Sequence, residues 1–377
     1  MINPHFDSPI TNTIFEIENM RNRYIQGSTP PWIFYDIKNI IYIMESVASA
    51  RIEGNNTTLV SAALSSIENS KEEEEVDEVK QFLNIRRGLN FIDKTIKAGD
   101  DITLAMIREL HKIVVKDLPL DKDGAEHPGQ FKTRDNIING SSAKTTSHLK
   151  VKEELEDLLN TVNIREAPQF DIINIALAHH RFTLIHPFEN GNGRVARLFT
   201  YAMLVQKGFI HNTSVLNPSS IFCVDRRRYY EMLSVADKGV KTGDDSLLEK
   251  WCFYVAEGIK EEIKRTMQLL DKKEVVEKVI LPTLKRAAEI KALSDEERQI
   301  LEIAVKKDVI QARDVSMIFG GNSSANDRRR SRKLRELTDR GLLRYSKKKY
   351  TLTLSRNKEL LPILLTEMSD SGLIVME

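Results

Sequence analysis

The stretch that decides the fold is His186-Pro187-Phe188-Glu189-Asn190-Gly191-Asn192-Gly193-Arg194-Val195-Ala196-Arg197. Upstream of it, Ile172, Ile175, Ala176, His179 and Phe182 recur at three- and four-residue steps, so Asp171 to Ile185 reads as a helix with one inward face. Pro187 disfavours helical geometry for the residue before it, which places His186 just past the helix end on a constrained backbone. The turn Asn190-Gly191-Asn192-Gly193 consists of residue types that accept left-handed dihedrals and let a ligand approach the main chain. From about Gly193 the apolar pattern resumes with Val195, Leu198, Phe199, Ala202, Met203 and Val205, and Lys207-Gly208 can end that second helix.

The loop amides are therefore expected at a helix N-terminus, where unsatisfied N–H groups and the positive end of the dipole favour an anion. Arg194 and Arg197 fall one turn apart on the same side. Two cations in a first turn oppose the dipole, an arrangement that a polyphosphate compensates. His186 beside such a cradle is a candidate base.

This stretch resembles the signature of the Fic (Fido) family: His-Pro-Phe, any residue, an acid, Gly-Asn-Gly-Arg, two residues, Arg. The chain matches at His186, Pro187, Phe188, Gly191, Asn192, Gly193, Arg194 and Arg197. The resemblance implies a mainly α fold, with a Fic-type helical core and a small β-hairpin flap. It also implies transfer of AMP from ATP to Ser, Thr or Tyr hydroxyls of proteins, the chain itself included, with release of pyrophosphate. His186 would take the proton of the hydroxyl; Asn192 and the Gly191 to Gly193 amides would hold phosphate oxygens; Arg194 and Arg197 would clamp the leaving phosphates. The family acid that holds Mg²⁺ is replaced here by Asn190, with Glu189 one position earlier. Asn190 is the expected metal position, leaning on the phosphates for charge.

Three further segments extend the resemblance. Asp36 to Arg51 has the apolar pattern of a packed helix, and Ser49-Ala50-Arg51-Ile52-Glu53-Gly54 is similar to the Fic inhibitory motif Ser-x-x-x-Glu-Gly. That likeness pairs Glu53 with Arg197 and implies an autoinhibited enzyme in which the carboxylate displaces the γ-phosphate. Residues 128–140, bracketed by Pro-Gly and Asn-Gly, resemble the flap hairpin whose edge aligns the target segment, with Thr133, Asn136 and Ile138 as docking residues and Lys132 where relatives commonly carry Arg. Tyr229 and Tyr230 look like a tyrosine pair near the adenine; core packing is the other reading of their spacing.

The 377 residues carry 56 Lys and Arg against 55 Asp and Glu, so no global affinity for nucleic acid or membrane follows from charge. Cys223 and Cys252 are too few for a disulfide framework, which suits a reducing cytoplasm. No signal peptide or long apolar span is read, and no membrane partner is expected. Four regions are expected: an N-terminal helical region with the inhibitory motif (1–99), the catalytic core (100–260), a long charged helix (261–290) and a winged helix-turn-helix unit (291–377). An acidic helix start is expected at Lys71 to Glu75.

In the last region, Glu297 to Val305, Ala312 to Phe319 and Ala325 to Arg340 read as helices, followed by a basic hairpin around Ser346-Lys347-Lys348-Lys349. Arg328, Arg329, Arg330, Arg332, Lys333 and Arg335 concentrate positive charge on the third helix. DNA and protein docking both fit such a unit. The alternative function is accordingly a DNA-binding regulator that uses the Fic core as a nucleotide sensor. A second copy of the chain is a further candidate partner.

Overall fold

A computed structural model of the chain describes residues 2, 4–24, 30–68, 77–138, 144–210, 216–321 and 323–374. In chain order the helices are α1 (Pro9–Tyr24), α2 (Pro31–Ile52), α3 (Leu59–Glu68), α4 (Asp77–Thr95), α5 (Leu104–Val114), α6 (Val151–Asn163), α7 (Asp171–Ile185) and α8 (Asn192–Gln206). They continue with α9 (Pro218–Cys223), α10 (Arg226–Thr242), α11 (Asp245–Leu269), α12 (Lys272–Val275), α13 (Leu281–Glu289), α14 (Asp295–Lys307), α15 (Ser324–Asp339) and, after an antiparallel hairpin of β1 (Leu343–Ser346) and β2 (Lys349–Leu352), α16 (Leu360–Asp370). The fold is thus mainly α, as expected. Contacts divide it into two compact units, one made of residues 1–25, 42–57 and 73–264, the other of 26–41, 58–72 and 265–377.

The first unit is built around α7 and α8. Ile172, Ile175, Ala176, His179 and Phe182 form the buried stripe that their spacing predicts, and α8 is buried along almost its whole length. Helix α5 is capped by the Thr103 hydroxyl, which accepts from Met106 N at 3.3 Å. Gly88 of α4 allows close packing on α8, because a Cβ there would fall 2.6 Å from Leu198 Cδ1. His179 is neutral, burial having lowered its pKa to about 3. Thr200 gives its hydroxyl proton to Ala196 O, so His179 Nδ1–H donates to Thr200 Oγ1 at 2.7 Å and Nε2 accepts from Tyr229 OH at 2.9 Å.

Two local expectations are corrected. Residues 128–138 contain no strand; two of their groups are tied to the chain after α7, Lys132 N donating to Pro187 O at 2.9 Å and Asn136 Nδ2 to Phe188 O at 2.9 Å. Residues 139 and 140 lie outside the described residues, as does the acidic segment Lys71 to Glu75. The long helix expected over 261–290 is broken: α11 ends at Leu269, and the Asp271 carboxylate caps α12 by accepting from Glu274 N at 3.0 Å. A π-helical turn, Val276–Ile280, then leads into α13.

In the second unit, α14 opens with a reciprocal capping box between Ser294 and Glu297. The middle helical segment, Ala312–Phe319, is a 3-10 helix. Lys347 and Lys348 form the hairpin turn with φ of 48° and 62°, the left-handed pair that a two-residue hairpin loop demands. Past β2, the half-buried Asp36 carboxylate accepts from Leu354 N at 2.8 Å, Ser355 Oγ at 2.6 Å and Thr353 Oγ1 at 3.2 Å. Among the described residues, no helix is long and apolar enough to cross a membrane.

Candidate active site

Pro187 ends α7 as its chemistry requires, and His186 follows the last helical residue with φ 48° and ψ 60°. That left-handed conformation is unfavourable for a residue with a Cβ and persists only where the surroundings hold it. A carbonyl can only accept, so the contact of 3.3 Å between His186 Nδ1 and Thr183 O places the proton on Nδ1 and leaves the Nε2 lone pair for a substrate proton. Burial, chiefly, lowers the His186 pKa to about 4; the Lys132 ammonium adds to the lowering, while the Thr183 bond and Glu53 oppose it. The imidazole is therefore neutral at pH 7.

The loop after it is tied down from several sides. Gly191 takes φ 73° and precedes the first turn of α8. Phe188 N donates to Asn192 Oδ1 at 2.9 Å, and Asn192 Nδ2 donates to Phe188 O at 2.8 Å. The Asn192 amide is thus tied to the loop through Oδ1 and one Nδ2–H, and its second Nδ2–H and its main-chain N–H remain as donors for an anion. Phe188 stacks on His111 with ring centres 3.9 Å apart. Gly129 N donates to His111 Nδ1 at 2.8 Å, which leaves Nε2–H to donate to Asn190 O at 3.2 Å. His111 sits in the apolar stripe of α5, and nothing in its sequence context marked it.

Both signature arginines are buried and both face carboxylates. Arg197 Nε donates to Ser49 Oγ at 2.8 Å, and its Nη2 donates to Ser49 O at 2.9 Å and to Glu53 Oε1 at 2.6 Å. Burial would raise the Glu53 pKa, but Arg197 and then Arg194 outweigh it and hold the group below the usual carboxylate range. The Glu53 carboxylate lies against Gly193 so closely that any side chain at 193 would collide with it. Ser49, Glu53 and Arg197 therefore meet, as the resemblance to the inhibitory motif implies. Arg194 Nη2 donates to Asp123 O at 3.1 Å and Oδ1 at 3.3 Å, and Nη1 donates to Val114 O at 3.3 Å. Asp123, in a turn ending at Gly124, went unnoticed because an acid in a polar turn carries no signal of its own.

The other expected residues are placed less uniformly. Asn190 turns its Nδ2 onto Gly124 O at 2.7 Å, and Glu189 is exposed. No group of three or more potential metal ligands occurs among the described residues. Tyr229 is buried among His179, Phe222 and Trp251, so it is a core residue and presents no face to a base. Tyr230 is half exposed, with its hydroxyl on Ile52 O at 3.4 Å and the Arg226 guanidinium 5.7 Å from its ring centre. Thr133 is exposed and Ile138 half-buried, whereas the Asn136 amide donates to Phe188 O at 2.9 Å and belongs to the loop supports.

Residues 101–204 match the sequence model of the Fic/DOC family. The protein adenylyltransferase Fic of Nematostella vectensis is 29% identical over 209 residues, covering 52% of this chain and 44% of that protein. The protein of the same name from Aedes aegypti is 27% identical over 203 residues, covering 52% of this chain and 38% of its own length. The chain thus spans less than half the length of these curated relatives. Among solved structures, a Fic family protein from Desulfovibrio desulfuricans G20 superposes with a TM-score of 0.56 at 16% identity, over 94% of this chain and 98% of that one. Fic-1 (aa 134–508) of C. elegans gives 0.54 at 22% identity, over 68% and 72%. The signature and the matched family model place a Fic/DOC domain at residues 101–204, and the chain shares its fold with solved Fic structures.

Proposed function

We propose that the chain is a protein adenylyltransferase held in check by its own Glu53. The observation that carries this reading is a neutral imidazole, with Nε2 free to accept a proton, next to a helix N-terminus flanked by two buried arginines. The hydroxyl of a target Ser, Thr or Tyr gives its proton to His186 Nε2 as its oxygen bonds to the α-phosphorus of ATP. The bond from that phosphorus to the α,β-bridging oxygen breaks, and pyrophosphate leaves with the electron pair. First-turn amides of α8 and the guanidinium groups of Arg194 and Arg197 supply positive charge where negative charge accumulates. Relatives named as protein adenylyltransferases support the reaction class.

Autoinhibition follows from competition for Arg197. A carboxylate on its Nη2, lying against Gly193, holds the place where a triphosphate must put its own charge. The side chains at 189 and 190 do not fit a dedicated magnesium site: Asn190, whose Nδ2 donates to Gly124 O, offers a cation only an uncharged amide oxygen, and no group of three or more potential ligands occurs among the described residues. No step here is assigned to a metal.

The decisive experiment is incubation with ATP labelled on the α-phosphate, comparing wild type, Glu53→Gly and His186→Ala. Label that rises with the first substitution and vanishes with the second supports the reading; no label in a folded Glu53→Gly chain rejects it.

The rival reading, a DNA-binding regulator, has less support. Arg330 is buried and pairs with Asp327 at 2.7 Å, Lys333 pairs with Glu297 and Glu336, Arg335 with Asp339 and Arg329 with Glu296. The cationic surface is smaller than the sequence suggests.

A further inference from the structure

The segment before the catalytic loop contains a buried lysine. Lys132 is 3% exposed, which is costly for an ammonium unless acceptors surround it. Its Nζ donates to Asn136 Oδ1 at 2.8 Å, to Thr145 Oγ1 at 3.4 Å and to Ile185 O at 3.4 Å. Its main-chain N–H donates to Pro187 O at 2.9 Å. One residue therefore holds the carbonyls on both sides of His186, the residue with the left-handed backbone. Asn136 extends the strap by donating to Phe188 O, the next carbonyl along.

We infer that Lys132 is the positioning residue of the catalytic histidine, clamping its strained backbone from both flanks and placing a fixed positive charge beside its ring. A main-chain bond alone would hold the loop with any residue at 132; the ammonium is needed for the Ile185 carbonyl and for the charge. Burial and Lys132 both disfavour the imidazolium, with the Thr183 carbonyl and the Glu53 carboxylate opposing them. Asp135 faces Lys132 and is itself engaged by His148 N at 2.7 Å and Nδ1 at 2.8 Å. The imidazole is thereby kept as a base well below the ordinary histidine range.

This inference rests on His186 acting as the base, yet its first readout needs no turnover. The ring signals of the eight histidines are followed by NMR against pH, His186 being assigned by comparison with His186→Ala. In the wild-type chain His186 is expected to titrate at about 4. Burial is the larger cause of the depression, so Lys132→Met should move that titration upward by only about a few tenths of a pH unit, a shift that Lys132→Arg should reverse. In the Glu53→Gly background, Lys132→Met should lower kcat for AMP transfer about tenfold or more while the KM for ATP stays within about threefold, because Lys132 contacts the loop and no phosphate-binding group.

A wild-type His186 that titrates in the ordinary histidine range overturns the inference without any variant, and covers the case in which Lys132→Met does not fold. An unmoved titration in folded Lys132→Met also overturns it. Absence of AMP transfer in Glu53→Gly, with the titrations as expected, removes the proposed function and leaves the clamp standing.

Discussion

Glu53 Oε1 stands 2.6 Å from Arg197 Nη2, although the two residues are 144 positions apart in sequence. The same guanidinium takes both the hydroxyl and the carbonyl of Ser49, one turn earlier on α2. Its Nη2 is thus saturated by Ser49 O and Glu53, and a phosphate can bind that nitrogen only by displacing one of these bonds.

From that relationship, Glu53→Gly should raise self-labelling from α-labelled ATP by about tenfold or more. Removing one partner of a hydrogen-bonded charge pair commonly changes binding by 2–5 kcal/mol, which about tenfold understates. Glu53→Gln keeps the shape and loses the charge, so its rate should fall between the two.

Glu45, two turns before Glu53 on α2, is buried and accepts from Ser219 N at 2.8 Å as well as from the Ser219 hydroxyl. Burial raises its pKa from 4.5 to about 7, with the Ser219 bonds opposing and Glu262 assisting. Between these two values the native state binds more protons than the unfolded state, so this group's contribution to stability falls as pH rises from 4.5 to about 7 and is flat above. Glu45→Gln should abolish that component. Denaturant melts of both proteins at pH 5 and pH 8 should show their stability difference shifting in favour of the variant at the higher pH, by up to about 3 kcal/mol.

Asn190 latches the turn that carries Asp123, and it lends no charge to a cation. Calorimetric binding of ATP to Glu53→Gly should therefore change by less than about threefold between excess Mg²⁺ and EDTA. Adding Asn190→Asp should create a dependence of about tenfold, since a carboxylate is the ligand that Mg²⁺ prefers. Loss of all ATP binding in EDTA with Asn190 intact contradicts the expectation.

The two tyrosines separate cleanly. Tyr229→Phe leaves the buried His179 Nε2 without its donor and should destabilise the fold by about 1–3 kcal/mol. Tyr230→Ala removes a half-exposed ring and a long bond to Ile52 O, and should cost less stability than Tyr229→Phe, about 1 kcal/mol or below. Thermal or chemical melts of the two variants decide it. A raised KM for ATP in Tyr230→Ala, with Tyr229→Phe unaffected, assigns the base-stacking role to Tyr230.

The sequence alone determined the α7–turn–α8 joint, because apolar period, Pro187 and the Asn-Gly run are local chemistry that acts within a few residues. That Ser49, Glu53 and Arg197 belong together came from the resemblance to the Fic inhibitory motif, since Ser-x-x-x-Glu-Gly by itself names no partner. Only the tertiary structure decided that Asn192 serves the loop with its amide, that Asp123 reaches Arg194, that Tyr229 is core, and that residues 128–138 brace His186 instead of pairing as strands. These outcomes depend on which carbonyls and cations packing brings within hydrogen-bond reach of one another. No period or motif along a single segment encodes that distance.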